Sequence, residues 1–371
     1  MTTGDPVIVS SDAAPSVSMQ ASRRQALEEA ILPPLVALLL AAVVGDVLIL
    51  LFGQSPGAVY RLLLDGTWGN AYGFGQVLYK ATTLVFTGLA VGLGLRAGLF
   101  NIGAESQLAA GGFCAAIVGL FIPAGIPALL CLPIYILAAA LGGGAVGAVP
   151  GVLKARFGAH EVIVTIMLNF IVLALLNYLV SAKLHVPDTL HTTEIRSGAL
   201  PRLSDWIPSF QGSAANSIIL LAIVTAVALG WFLFRTRAGF EMRAVGLQAG
   251  AAEYSGISVA GVTWRALAIS GAVAGVGGLN YVLGYKHYYE EGFATGAGFL
   301  GIAVALVGRS HPVGIVLAAL LFATLSQGGL AVNALVPKQM VDVLQAVVII
   351  AVSVSVPEVR RLLRGARRGV R

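Results

Sequence analysis

Charge is scarce in this sequence. Only 11% of its 371 residues are Asp, Glu, Lys or Arg, where soluble domains carry roughly a quarter. That excludes an ordinary water-soluble globular chain. Cysteine is nearly absent too. Cys114 and Cys131 are the only two, each within an apolar run, so no disulfide framework is expected and both read as small buried hydrophobes. No Gly-Lys dipeptide occurs, which removes the G-x-x-x-x-G-K-[ST] loop and with it the P-loop route to ATP. His160-Glu161 begins like a zinc-protease motif, but its fifth position is Val164 where a second His is required. No metal site, no catalytic residue and no enzyme activity of the chain's own are expected.

What is abundant is apolar. Hydrophobic residues make up 57% and glycine accounts for 46 positions. Ten apolar runs fall at approximately 33–52, 77–95, 101–121, 127–150, 161–180, 216–234, 264–285, 293–308, 312–331 and 340–357. Most have the length that crosses about 30 Å of hydrocarbon. The expectation is an all-α integral membrane protein of about ten transmembrane helices, with one permease-like domain over 31–357. The eighth run, FATGAGFLGIAVALVG, is short and glycine-rich, as in a half-helix or a broken transporter helix. Residues 1–30 are polar, lack the layout of a cleaved signal, and read as a disordered tail.

The basic residues orient the chain. With the N-terminus inside, Arg23, Arg24, Arg96, Lys154, Arg156, Arg235, Arg237, Arg243, Arg265, Arg309 and six arginines at 360–371 fall in the cytoplasm, 16 of 23. The positive-inside bias favours this arrangement, and ten spans return both termini to the cytoplasm. The basic tail, 358–371, suits anionic membrane lipid. No aromatic residue interleaves with its arginines, so nucleic acid is not an expected partner. Two loops are long. Residues 181–215 fall outside as a docking surface or lid. Residues 235–263 fall inside, and AGAAEYSGI within them suits a short surface helix.

The stretch Gly88–Gly112, GLAVGLGLRAGLFNIGAESQLAAGG, carries Asn101, Glu105, Ser106 and Gln107 among small residues. An acid and two amides at membrane depth are costly, so they line a polar path or pair inside the bundle. Residues 101 and 105 are four apart and would share a helical face. In MLNFIVLALLNYLV, Asn169 and Asn177 also share a face, with Phe170 and Tyr178 beside it. A nucleobase would suit that combination, although a stripe of aromatics in a membrane helix also simply packs. These residues (Asn101, Glu105, Ser106, Gln107, Asn169, Phe170 and Asn177) are the candidate translocation pathway. Asp46 has apolar neighbours and would pair with another helix or with Lys80. The segments Gly88–Arg96 and Gly301–Arg309 are similar at matching offsets, which composition largely explains.

Four ordered motifs carry a family resemblance: GLFNIGAESQ, HEVIVTIMLNF, RAVGLQAGAAEYSGI and GFLGIAVALVGRSHPVGI. Over roughly residues 75–330 the chain resembles permease subunits of bacterial ABC importers, in the simple-sugar and nucleoside branch of the ribose/branched-chain amino acid superfamily. Ser106, His160 and Gln248 depart from the family pattern. The resemblance implies a type II importer-like permease fold with broken or short helices, in the bacterial inner membrane. It implies alternating access driven by separate ATPase subunits, which would hold the ATP and Mg, so no cofactor is expected on this chain. It also implies a second homologous permease, as a heterodimer more than a homodimer, and an extracytoplasmic substrate-binding protein. In RAVGLQAGAAEYSGI, the residues Arg243, Gly246, Ala251, Ala252, Glu253 and Gly256 match the coupling helix that contacts the ATPase. A stand-alone ion-coupled transporter is the alternative, and would need Asp46 and Glu105 as its relay.

Overall fold

The computed structural model describes residue 36 and residues 39–337 and 339–351. The expected tails at 1–30 and 358–371, with Arg23, Arg24 and the six terminal arginines, lie outside the described residues, as does Lys338. The regular structure among the described residues is helical, with no strands and only isolated β-bridges. The helices are α1 (Leu39–Leu51), α2 (Pro56–Asp65), α3 (Ala71–Arg96), α4 (Ala104–Phe121), α5 (Ala128–Phe157) and α6 (Glu161–Leu179). A long loop holding α7 (Leu203–Trp206) leads to α8 (Ile218–Arg235), α9 (Arg237–Leu247) and α10 (Ala249–Tyr254). Then come α11 (Val259–Gly277), α12 (Leu279–Val282), α13 (Ala297–Val307), α14 (Pro312–Ala331) and α15 (Gln339–Ala351).

Each of the ten apolar runs contains a helix among the described residues, but ten full spans are not what the described residues give. Seven helices are long and apolar enough to cross a membrane, or eight if the bent pair α1–α2 counts as one. The reasons are local. Gly53 and Pro56 stop α1 and start α2 at an angle of 111°. Helix α13 is short, and α15 is described only as far as Ala351. The α1–α2 junction also spells G-x-S-x-G at Gly53–Gly57. It joins two helices, however, whereas a nucleophile elbow needs a strand before its serine.

Helix α3 is the centre of the bundle. Asn70 caps it by accepting from the Gly73 amide at 2.6 Å, and Phe86, Leu89 and Leu93 are fully buried. Its inner half runs parallel to α13. Gly301 lies against Thr87, Gly88 against Val304, and Arg96 reaches the Arg309 carbonyl. The two similar segments of sequence are thus side by side in space. Helices α5 and α11 pack antiparallel through small residues four apart, Gly143 and Gly147 against Gly275 and Gly271, with Gly151 against Trp264 and Leu267. A β-carbon on Gly143 would stand 2.3 Å from the Gly271 carbonyl oxygen, so only glycine allows this approach. Such small-residue seams hold membrane helices together where no hydrophobic drive exists. Helix α8 meets α14 antiparallel, with Phe234 stacked on His311.

The loop expected to dock or to close folds onto the segment before α13. Thr192 and Ile195 donate to the carbonyls of Tyr289 and His287 at 2.9 and 2.7 Å, and Arg202 Nη2 donates to Tyr285 at 2.9 Å. His191 stacks on Tyr288. Trp206 and Ile207 remain exposed on it.

Candidate functional site

The chain after α3 does not leave the bundle. Ala97–Gly103 turns back along α3, and the side chain of Asn101 is the pin. Its Nδ2 donates to Ser270 Oγ at 2.7 Å, and that hydroxyl donates to the Ala90 carbonyl at 2.7 Å. Ala90 lies six residues before the end of α3, about 9 Å along its axis at 1.5 Å per residue. Helix α4 therefore begins well inside the protein, as the broken helices of transporters do.

Asn101 is not on α4. Its Oδ1 accepts from the Gly103 amide at 2.9 Å, a local side-chain turn that competes with helix, and α4 starts at Ala104. The shared-face argument for residues 101 and 105 fails for that reason. Instead Asn101 pairs with Gln107 amide to amide, Nδ2 to Oε1 at 2.8 Å and Nε2 to Oδ1 at 3.1 Å. Asn169 of α6 clamps the same turn, donating to the Ile102 carbonyl at 3.0 Å and accepting from the Ser106 amide at 3.2 Å. Ser106 Oγ donates to the Gly103 carbonyl at 3.0 Å. All four side chains are buried and bonded to their surroundings. In this conformation they hold the turn. Four unpaired amide or hydroxyl groups there would each cost about 1–3 kcal/mol.

Glu105 has a different environment. Its Oε1 accepts from the Gly296 amide at 3.0 Å, and Gly296 is the cap residue of α13, with φ 81°. The amides of Gly298 and Phe299 in the first turn of α13 also face the carboxyl group. Because Glu105 is itself in the first turn of α4, one carboxylate sits where two helix N-termini converge. Both ends carry partial positive charge, which favours an anion. Its Oε2 is buried and has no hydrogen-bond partner among the described residues.

The remaining pathway candidates separate. Asn177 is half-buried, while Phe170 is 69% exposed and Tyr178 is exposed beside it. Neighbours on a helix point about 100° apart, so burying Asn169 turns Phe170 outward. Phe170 is not brought to the buried cluster. Asp46 lies beside the Tyr60 hydroxyl of α2, and no hydrogen bond or ion pair joins it to Glu105 among the described residues. The HEV motif is structural at its start: Glu161 takes a 2.6 Å ion pair from Lys154 and faces the Phe100 amide.

The RAVG segment forms α9 and α10, with the short surface helix where AGAAEYSGI predicts it. Its motif residues divide in two. Arg243 donates from Nε to the Leu233 carbonyl at 2.9 Å, Ala252 is buried, and Gly246 lies against the backbone of Arg96 and Ala97. These fasten the hairpin to the end of α3 and the turn that follows it. Ala251, Glu253 and Gly256 are exposed at the tip, with Leu247 and Tyr254.

Three groups escaped the sequence reading. Ser270 joins the α3–α4 turn from α11. Asn280 donates to the Tyr79 carbonyl and to Thr83 Oγ1, and accepts from Asn216 at 3.0 Å. Arg96, Arg243 and His311 surround Phe234. Only the intramembrane amides gave a signal: Asn216 opens the run 216–234, and Asn280 lies inside the run 264–285.

A family model described as branched-chain amino acid transport system / permease component matches residues 73–353. The guanosine ABC transporter permease protein NupP of Bacillus subtilis is 38% identical over 333 residues, 88% of this chain and 93% of the relative. The nucleoside ABC transporter permease protein NupB of Lactococcus lactis is 33% identical, over 87% of this chain and 91% of the relative. The glucose ABC transporter permease protein TsgB13 of Haloferax volcanii is 32% identical, over 85% of each. In the first two organisms a second permease, NupQ and NupC, also matches at 28% identity. No solved structure matches.

Proposed function

The chain belongs to the permease-component family of branched-chain amino acid transport systems, and from that premise we infer that it is the membrane-spanning subunit of an ATP-binding-cassette importer that moves nucleosides or simple sugars. Nucleosides come first, because the two relatives described first are guanosine and nucleoside permeases. ATP hydrolysis, with its Mg, belongs to partner ATPase subunits. The chain is multi-pass, in the bacterial inner membrane, with both termini cytoplasmic. Parallel α3 and α13 and antiparallel α5–α11 and α8–α14 fit the alternation that ten crossings require.

One observation carries the mechanism: the exposed tip of α9–α10 is mounted directly on the turn that leads into α4. The ATPase takes hold of Ala251, Glu253 and Gly256. Movement of that hairpin displaces the α3–α4 turn, and with it the junction of α4 and α13 at Glu105. Alternation between outward and inward access follows from shifting that junction. A second, homologous permease completes the pore, a heterodimer on the pattern of the paired relatives. An extracytoplasmic binding protein docks on the loop of residues 181–215 and supplies most of the specificity.

Uptake of radiolabelled guanosine, adenosine and ribose by cells with and without the chain tests this. Nucleoside uptake that disappears with the chain while ribose uptake persists is the expected result. The opposite pattern moves the transporter to sugars, and no change in any substrate overturns the transport reading.

A further inference from the structure

Between α8 and α14 runs an apolar groove of about 390 Å³, lined by Ile223, Val227, Gly230, Phe234, Pro312 and Val316 among others. From Ile223 to Phe234 it covers eleven residues of α8, about 16 Å at 1.5 Å per residue. One leaflet of a bilayer has an apolar depth of about 15 Å, half of the hydrocarbon core. The groove opens sideways, between exposed Val227, Trp231, Val313 and Leu317. Its length and direction are those of a single acyl chain.

At one end the groove is lined by Phe234 and His311, and two arginines pack against that phenylalanine. Phe234 has the Arg96 guanidinium 5.6 Å and the Arg243 guanidinium 5.3 Å from its ring centre, and His311 stacked at 5.5 Å. The like charges of Arg243 and Arg309 lie within reach of Arg96. Among the described residues neither Arg96 nor Arg243 is in an ion pair. Arg96 donates to the carbonyls of Ser310 and Arg309, and Arg243 to that of Leu233. A guanidinium has five N–H donors, so three remain on Arg96 and four on Arg243. Two guanidinium groups so held, with no carboxylate paired to Arg96 or Arg243 among the described residues, call for an anion. Burial and the Arg96 charge both push the His311 pKa down, so the imidazole adds little repulsion and can share a hydrogen bond.

We propose that this groove binds one anionic phospholipid, its phosphate held by Arg96 and Arg243 beside Phe234 and one acyl chain laid along α8 and α14. The proposal rests on the reading of the chain as membrane-spanning. It gives a role to Arg96 and to His311 of the GRSHP stretch. A lipid there touches α3, α8 and α14 at the base of the α9–α10 hairpin, so it braces the part that the ATPase moves.

The test is native mass spectrometry of the full chain, assembled with its partner subunits in non-ionic detergent. The complex is titrated with phosphatidylglycerol or phosphatidylcholine of equal chain length. One phosphatidylglycerol adduct is expected, favoured about tenfold or more given about 1 kcal/mol for each of two arginines. Arg243→Gln should cut that preference about fivefold by the same measure. Gly230→Leu should abolish the adduct without touching a charge. A β-carbon at Gly230 meets Pro312 at an ordinary 3.5 Å, so the added side chain enters the groove and the helix is undisturbed. If Arg243→Gln prevents assembly, Gly230→Leu still decides. Equal binding of the two lipids overturns the proposal. So does an unchanged preference in Gly230→Leu, which would leave the arginines holding phosphate without the groove. An adduct excluded whenever the ATPase is bound would also overturn it, assigning the arginines to an acidic protein surface. Substrate uptake is measured separately, so failure of the lipid site and failure of the transport assignment are distinguishable.

Discussion

Gly98 and Gly246 meet backbone to backbone: a β-carbon on Gly98 would stand 3.0 Å from the Gly246 Cα. Gly98 has φ 72°, a conformation that L side chains rarely adopt. A β-carbon on Gly246 would lie 2.2 Å from the Arg96 carbonyl oxygen. Nothing deformable separates the hairpin α9–α10 from the turn that carries Asn101.

Gly246→Ala is therefore expected to insert in the membrane and to retain its ATPase, because the tip of α10 is unaltered. It should lower substrate uptake at least tenfold while ATP hydrolysis continues. Overpacking of this kind costs about 1–3 kcal/mol, enough to shift the hairpin from its seat without unfolding the bundle. Uptake and ATPase rate measured on one reconstituted preparation check this. Loss of both together would mean that the contact serves assembly alone.

At Glu105 the carboxylate caps α13 from the first turn of α4. Glu105→Ala removes the acceptor for the Gly296 amide and should destabilise the protein by about 0.5–2 kcal/mol, the usual cost of a lost cap. Uptake should fall more steeply than protein level. Glu105→Gln keeps a carbonyl oxygen at the same reach and is expected to recover most of both. Thermal unfolding in detergent, together with uptake normalised to protein, separates the effects. A glutamine variant as inactive as the alanine one would show that the charge, and not the cap, is needed.

Much of this arrangement was legible in the sequence. Among the described residues each apolar run contains a helix, because length and hydropathy decide that in a membrane. The half-helix α13 followed from its glycines and shortness. The placement of Asn101 was legible too, and was misread. Asn-Ile-Gly is a turn signal, and the side chain bonds its own backbone as that signal implies. Phe170 is adjacent to Asn169 in sequence but about 100° round the helix from it, so it faces away from the buried cluster. Ser270 was out of reach. Its bonds to Asn101 and Ala90 join residues 169 and 180 positions apart, and only the packing of α11 on α3 creates them.

The hairpin tip divides into residues that fasten and residues that face outward. Glu253 is among the latter, with Tyr254 97% exposed beside it. Glu253→Arg is expected to abolish co-purification with the ATPase and leave membrane insertion and thermal stability as in wild type. A buried control should do the opposite. Ala252→Leu forces bulk beneath the hairpin and should lower stability by about 1–3 kcal/mol. Co-purification of Glu253→Arg at the wild-type ratio would remove the tip from the ATPase contact.

Outside the spans, His287 links stability to pH. It sits in the segment before α13, where burial and then the positive charge of Arg202 push its pKa down, with Glu194 opposing. A histidine titrates near pH 6.5 when unfolded. Its folded pKa is lower, so between the two values the unfolded chain binds more protons, and stability falls as pH drops below about 6.5. Above about pH 7.5 the group is neutral in both states and contributes no slope. His311 is shifted the same way, by burial and then by Arg96, and adds to the decline. The backbone at His287 has φ 63°, which asparagine tolerates better than most residues. His287→Asn should therefore fold, keep the Ile195–His287 backbone hydrogen bond, and flatten the acid limb of a plot of unfolding midpoint against pH between 5 and 8. An acid limb as steep as that of wild type would assign the whole effect elsewhere, with His311→Gln the next variant to measure.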